Sequence, residues 1–112
     1  MSLDLSKTVM AYITTKDKAQ ACHIGRVLVE KKLVACANVI DGMQSLYWWE
    51  GKVQESQEAI LIVKTVNEKV DDTIRIVKAL HSYEVPCIVT FEISQGNPDY
   101  LNWIQSVVGA AI

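Results

Sequence analysis

The amino-acid sequence predicts one α+β domain over residues 1–112, with an antiparallel four-stranded sheet and helices packed on one face. Short apolar runs alternate with helically spaced apolar residues in the order strand, helix, strand, strand, helix, strand. A capped helix follows the last strand. The length of 112 residues is typical of one domain, and half of the residues are apolar, which is enough to form a buried core.

The first strand and helix are indicated by a change of apolar period. Val9 to Ile13 is a β-branched and aromatic run that ends at Thr14 and Thr15, where we expect the helix to begin. Between Lys16 and Lys32 the apolar residues have helical spacing. They are Ala21, Ile24, Val27 and Leu28.

Two glycine turns compete in the next segment. Ala35 to Ile40 is extended and apolar, and Met43 to Trp49 continues it after Asp41-Gly42. An Asp-Gly pair is typical of a hairpin turn, but a glycine inside a longer strand also marks a bulge or bend. Glu50-Gly51 is the competing turn, and it precedes the next strand.

The second half of the chain repeats the strand and helix signals. We expect Asn67 to cap a helix with Val70, Ile74 and Val77 along one side, followed by a loop from His81 to Pro86. Cys87 to Ile93 is the last predicted strand. Asn97 and Pro98 then begin a terminal helix.

This order is the ferredoxin-like split βαβ pattern, which places three connections at one end of the sheet. They are the turn after Ile13, the Glu50-Gly51 hairpin and the loop from His81 to Pro86.

Two features predict that the sheet associates with another copy. Ala59 to Val63 is apolar at every position, as expected of a strand covered on both faces, although two helices cover only one. Ala35 to Trp49, as one bent strand, would span about 50 Å, more than the roughly 35 Å width of such a domain. The hairpin would overhang the domain with free edges, which favours a closed homo-oligomer.

Composition argues against several other classes of protein. Eleven basic and thirteen acidic residues give a net charge of −2 without a Lys/Arg block, so we expect neither nucleic-acid nor membrane binding. The start, MSLDLSK, lacks the pattern of a signal peptide and no apolar run is long enough to span a membrane, which predicts a cytoplasmic address.

The three cysteines, Cys22, Cys36 and Cys87, form no CxxC pair and are predicted to be reduced thiols. We expect Cys22 and Cys36 to be small core residues. Cys87 is the thiol nearest the hairpin end of the sheet.

Three long motifs resemble the CutA family of divalent-cation tolerance proteins, from about Val9 to Ile104. They are "LVACANVIDGMQSLYWWEGKVQESQEAILIVKT", "LHSYEVPCIV" and "GNPDYLNWI". The resemblance implies a ferredoxin-like subunit in a tight homotrimer, with the sheets turned inward and the long hairpins pairing with neighbours. It therefore favours the bend at Asp41-Gly42. It also implies a fold shared with the nitrogen-regulatory trimeric signalling proteins, although a shared fold does not transfer function.

The resemblance also introduces a divalent metal such as copper, because family members are associated with tolerance of such ions. Some members resemble a metal binder through a cysteine near the end of the first strand and two adjacent histidines. Here these positions hold Ile13 and Leu80 before His81, so only His81 carries over. His81 and Glu84 are the candidate metal ligands. The alternative is that His81 completes a helix end and Glu84 is solvated.

The remaining candidate residues are aromatic or charged and would line an intersubunit cleft. Tyr47 and Trp49 share one strand face and would line the cleft or pack in the trimer, while Trp48 takes the other face. Tyr83 lies in the predicted loop, where no strand or helix spacing places it in the core, and it is typical of a pocket wall. Glu58 and Lys64 would form a charge pair in the cleft or a solvated edge. The residues predicted to pack the trimer are Trp48, Ile60 and Ile62.

No P-loop, GxGxxG, HExxH or GxSxG motif is present. The sequence therefore predicts a non-enzymatic protein that needs no cofactor and binds a metal or small ligand between subunits. An interaction or signalling scaffold without metal is the first alternative. An enzyme that uses His81, Tyr83 and Glu84 is the second.

Overall fold

The computed structural model describes residues 7–109, and these form four strands and three α-helices in the predicted order. The elements are β1 (Thr8–Thr15), α1 (Lys18–Glu30), β2 (Cys36–Trp49), β3 (Lys52–Val66), α2 (Val70–Leu80), β4 (Ile88–Glu92) and α3 (Pro98–Val108). Residues 1–6, which carry most of the segment tested for a signal peptide, lie outside the described range. Among residues 7–109, no helix combines the length and apolar character needed to cross a membrane.

The sheet is antiparallel throughout, with the strand order β2-β3-β1-β4. β1 lies between β3 and β4, and β2 pairs with β3 at the other edge. This arrangement confirms the predicted ferredoxin-like α+β fold.

The first helix begins later than the sequence suggests. Thr14 and Thr15 complete β1, because they pair with Ile60 and Ala59 of β3. Asp17 caps α1 instead, and its Oδ1 accepts a hydrogen bond of 2.8 Å from the backbone N–H of Gln20. This bond satisfies one of the free N–H groups of the first helical turn.

β2 runs without a break through Asp41-Gly42, which confirms the bend. The pairing with β3 shifts between Ile40 and Met43, and Gly42 has a φ of 77°. A positive φ at a bulge is the conformation that glycine adopts with little strain. The chain reverses instead at Glu50 and Gly51, whose φ angles of 53° and 81° are those of a tight hairpin turn.

The hairpin overhangs the rest of the sheet. β1 ends at Thr15, opposite Ala59, so the segments Met43–Trp49 and Lys52–Glu58 pair only with each other within residues 7–109. We call these two segments the ribbon. The chain is 48 Å long but only 25 Å and 23 Å in its other dimensions. The predicted overhang is confirmed.

The two later helices begin differently. Asn67 does not cap α2, because it starts a 3₁₀ turn (Asn67–Lys69), and the N-cap residue Lys69 makes no side-chain capping bond. That expectation was wrong. Asn97 does cap α3, and its Oδ1 accepts a hydrogen bond of 3.1 Å from the backbone N–H of Asp99. Pro98 occupies the first turn, where its missing N–H costs nothing.

The apolar run in β3 alternates between two environments. Ala59, Leu61 and Val63 are fully buried against α1 and α2, in a core that includes Ile13, Ile24, Leu28 and Val77. Ile60 and Ile62 are half-buried on the opposite face of the sheet. We call this face the open face.

The open face is largely apolar. In the strand register, Tyr12 lies beside Ile62 and Val89, and Met10 lies beside Phe91. Val89 and Phe91 are about half exposed. α3 covers only one end of this face, through a small cluster of Ala35, Val66, Ile104 and Val108.

Candidate functional site

A cavity of about 660 Å³ lies where the ribbon meets the rest of the sheet. Three parts of the chain line it: the open face of β1, the ribbon, and the loop that precedes β4. The volume is within the range of small-molecule pockets. The residues that matter for its chemistry are Tyr12, Tyr47, Trp49, Glu58, Tyr83 and Glu84. We call this cavity the cleft.

A short hydrogen bond joins two of these residues. The Tyr83 hydroxyl donates to Glu58 Oε2 at 2.6 Å, and Glu58 is only 7% exposed. Partial burial raises the pKa of Tyr83 well above its usual value. The hydrogen bond to Glu58 and the negative charge of Glu58 raise this pKa further. Tyr83 is therefore a neutral hydrogen-bond donor at physiological pH.

His81 holds the loop in place behind this pair. Its Nε2 lies 2.8 Å from the Thr14 carbonyl oxygen, and its Nδ1 accepts a hydrogen bond of 3.1 Å from the Tyr83 backbone N–H. These partners assign the ring hydrogen to Nε2, which donates to Thr14. The imidazole also lies against the Tyr83 ring, with centroids 4.8 Å apart. His81 thus ties the loop to the end of β1 and orients Tyr83.

The structure brings together most of the predicted cleft residues. Tyr47, Trp49, Glu58, Tyr83 and Glu84 all line the cleft, and His81 lies directly behind it. Cys87 also lines it, as its position near the hairpin end predicted.

Lys64 is the exception. It lies six residues from Glu58 on β3, which separates the two by about 20 Å along a strand. Its Nζ lies 3.0 Å from Asn38 Oδ1 and 3.9 Å from Cys36 Sγ. The predicted charge pair of Glu58 and Lys64 therefore does not form within one subunit.

The arrangement does not fit a metal on His81 and Glu84 within one subunit. The Nδ1 lone pair that a metal would need accepts the Tyr83 N–H, and Nε2 bonds Thr14. Among residues 7–109, no group of three or more His, Cys, Asp or Glu side chains is placed to hold an ion. The two positions where the sequence departs from the metal-binding pattern expected from the resemblance are apolar. Ile13 is fully buried and Leu80 packs against the core.

The residues predicted to pack the trimer lie on apolar surfaces. Trp48 is 73% exposed and does not line the cleft, as its place on the opposite strand face from Tyr47 and Trp49 predicts. Ile60 and Ile62 lie on the open face.

The expectation that Cys22 is a core residue was wrong. α1 buries Ala21, Ile24 and Leu28, and Cys22 lies about 100° around the helix from Ala21, on the exposed side. Cys36 is partly buried, and its Sγ lies 3.5 Å from the Tyr100 hydroxyl. All three cysteines are free thiols.

Sequence reasoning missed the contribution of β1 to the cleft. Tyr12 and Thr14 line it, and the Tyr12 hydroxyl lies 3.5 Å from Met43 Sδ. Strand alternation contains the signal, because residues between the buried Ala11, Ile13 and Thr15 must face the other side of the sheet.

Comparisons with known proteins agree with this architecture. A sequence model of the family described as CutA1 divalent ion tolerance protein matches residues 9–107. The Protein CutA homolog of Xenopus laevis is 43% identical over 98 residues, which are 88% of this chain and 65% of that protein. The Divalent-cation tolerance protein CutA of Thermus thermophilus is 42% identical over 97 residues, 87% of this chain and 94% of that protein. The crystal structure of CutA1 from Oryza sativa has a TM-score of 0.89 and 36% identity, and the match covers 93% of this chain and 95% of that chain.

The fold and the cleft define a small ferredoxin-like domain with an overhanging ribbon and an aromatic cavity at the base of the ribbon. The chain belongs to the CutA1 divalent ion tolerance protein family. It spans between 55% and 65% of the length of several animal and plant relatives.

Proposed function

We propose that this protein is a homotrimer that binds a small ligand in three clefts, each closed by a neighbouring subunit, and that it acts in divalent-metal tolerance. The observation that carries this proposal is the cleft itself, which combines a nearly buried carboxylate, aromatic walls and an open side between the ribbon and the open face. The open side gives a second subunit access to the edge of the site.

Exposed apolar surface supports the association. Ile40, Val89 and Phe91 on the open face are about half exposed, and Leu46 and Trp48 on the ribbon are more exposed still. Contiguous apolar surface of this kind usually marks a contact with another protein. The unpaired edges of the ribbon add free backbone hydrogen-bonding groups, which another copy would satisfy. The resemblance to the family supplies the number three.

A small ligand has better support than a metal ion held by His81 and Glu84. Binding copper at His81 would break a hydrogen bond that holds the loop. The link to metal tolerance rests on the family and on the name of the Thermus relative. We further propose a cytoplasmic protein without catalytic activity, in keeping with its three free thiols.

Calorimetric titration with copper tests the metal form of the proposal. No saturable binding below about 100 μM, or roughly −5.5 kcal/mol, would remove direct copper binding. His81→Ala and Glu84→Ala should not change the result if neither residue is a ligand.

A variant of the cleft tests the ligand form. Tyr83→Ala should leave the trimer intact and change only ligand binding, because Tyr83 contacts the loop and Glu58 of its own subunit. Loss of the trimer in this variant would contradict a ligand role for Tyr83. A stable trimer that binds neither copper nor any small molecule would favour the interaction scaffold.

A further inference from the structure

The ionisable groups that line the cleft suggest the charge of its ligand. Two carboxylates, Glu58 and Glu84, line it, and no lysine, arginine or histidine in the described part of the chain does. Asp17 is a third acidic group whose charge acts on Tyr83. β3 carries two lysines, and neither lines the cleft. Lys64 lies at the other end of the sheet beside Asn38, and Lys52 lies at the tip of the ribbon. The charged side chains that line the cleft are therefore all acidic.

Glu58 has an unusual environment for a carboxylate. It is 7% exposed, yet within residues 7–109 it forms no salt bridge, and its side-chain hydrogen bond there comes from the neutral hydroxyl of Tyr83. A carboxylate has about four acceptor sites, and nearly buried carboxylates are normally paired with a cation. The protein supplies one neutral donor, so the site has capacity for a positive group that enters the cleft.

The walls of the cleft fit the same kind of ligand. Tyr12, Tyr47, Trp49 and Tyr83 contribute aromatic rings. The faces of such rings attract ammonium groups, most strongly where water is excluded, and they also cover the apolar part of a ligand. Divalent ions need several carboxylate, imidazole or thiolate ligands, and in residues 7–109 no group of three or more such side chains is placed to hold one.

We propose that the cleft binds an organic cation, a small molecule whose ammonium group lies at Glu58 and whose apolar part packs between the aromatic side chains. This inference rests on the proposed function, because a ligand must be able to enter the cleft in the assembled protein. It adds the chemical class of the ligand, which neither the fold nor the family description supplies.

Three probes of similar shape and different charge test the proposal on the full chain. Benzylammonium, benzyl alcohol and benzoate each carry one phenyl ring, and their polar groups are positive, neutral and negative respectively. Binding would be followed by NMR through the Trp49 indole N–H signal. We expect benzylammonium to bind at least about ten-fold more tightly than benzyl alcohol, since a charged hydrogen bond to a buried partner has about this effect. We expect benzoate to bind most weakly.

Two variants with the same charge change locate the effect. Glu58→Gln should reduce the preference for benzylammonium over benzyl alcohol to within about two-fold. Glu55→Gln is the matched control, because Glu55 lies three residues away on β3, is exposed, and does not line the cleft. It should keep the wild-type preference. If Glu58→Gln does not fold, the three probes on the wild-type chain still test the proposal, because it fails if benzylammonium has no preference over benzyl alcohol.

The outcomes separate this inference from the function on which it rests. Equal or tighter binding of benzyl alcohol or benzoate would overturn the organic-cation ligand while leaving a ligand cleft in place. A preference that survives Glu58→Gln would overturn the role of Glu58. If none of the three probes binds at about 10 mM to a confirmed trimer, the organic cation is wrong. A protein that is not a trimer would instead contradict the proposed function.

Discussion

The two ends of β3 differ in what surrounds them. From Ala59 onwards the strand is flanked by β1 and β2 and covered by α1 and α2, so that Leu61 and Val63 are fully buried. Before Ala59 it belongs to the ribbon, where Trp48 is 73% exposed and Leu46 is 63% exposed. A two-stranded ribbon alone is marginally stable in water. The packed end has a core of its own, whereas the ribbon and the open face are the surfaces that the proposed trimer would cover.

The largest effect should follow from a charge on the open face. Ile62→Asp would place an unpaired carboxylate at the proposed trimer interface, which costs about 3 to 5 kcal/mol, so both assembly and folding should be lost. Circular dichroism and light scattering measure the two effects. The matched control is Asn38→Asp, which adds the same charge opposite Ile62 but beside Lys64 Nζ.

A soluble, folded Ile62→Asp monomer would show that the open face needs no partner. Loss of folding in both variants would show only that this face tolerates no added charge.

Trp48→Ala should have the next largest effect, and only on association. Truncating an aromatic residue that becomes buried in the trimer costs about 3 to 5 kcal/mol. The melting temperature should then depend on protein concentration more strongly than in the wild type. Gln57→Ala, an exposed and neutral change on the same ribbon, should stay within about 0.5 kcal/mol. Wild-type behaviour of Trp48→Ala would mean that this face of the ribbon is solvated.

Two glycines give a smaller contrast between the packed end and the bulge at the base of the ribbon. At Gly25 in α1, a new Cβ would lie 3.1 Å from Ala37 Cβ and Leu61 Cδ1. Gly25→Ala should be destabilising if the crowding, about 1 to 3 kcal/mol, exceeds the gain of about 1 kcal/mol for alanine over glycine in a helix. At Gly42 nothing lies within 4 Å, but the φ of 77° makes Gly42→Ala cost about 1 to 2 kcal/mol.

Asparagine substitutions distinguish crowding at Gly25 from the positive φ at Gly42, because asparagine tolerates a positive φ. In thermal unfolding, Gly42→Asn should recover part of the loss, while Gly25→Asn should be worse than Gly25→Ala. Equal behaviour at both sites would contradict this distinction.

The smallest effect is on the pH dependence of stability. The pKa of Tyr83 is raised in the folded state, so the folded protein keeps a proton that the unfolded chain releases near the usual tyrosine pKa of about 10. The contribution of Tyr83 to stability is therefore fully present below about pH 10 and falls as the pH rises further. Denaturant unfolding across this range should show a shallower decline for Tyr83→Phe than for the wild type. Tyr47→Phe is the control, and identical slopes in all three proteins would contradict the assignment.

The sequence predicted the elements and the overhang because both follow from local patterns. The spacing of apolar residues predicted β1, α1 and β3. The Glu50-Gly51 turn and the length of β2 together implied the ribbon. Local patterns did not decide the first residue of α1 or α2. Thr14 and Thr15 belong to β1 because they pair with β3. Asn67 does not cap α2 because a 3₁₀ turn begins there.

The candidate site was predicted less completely because its chemistry depends on contacts between residues that are far apart in the sequence. Tyr83 and Glu58 were selected separately, but their hydrogen bond joins residues 25 positions apart. The same reasoning paired Glu58 with Lys64, which the extended strand keeps apart. The role of His81 depends on the Thr14 carbonyl, a backbone group that no side-chain motif reveals.

The mass of the protein in dilute solution tests the central claim most directly, because that claim is that the open face and the ribbon are covered by other copies. Light scattering or sedimentation at submicromolar concentration should give about 37.5 kDa, three times the 12.5 kDa of one chain. A mass of 12.5 kDa for a folded protein at that concentration would contradict the account, since the apolar open face would then be stable in water.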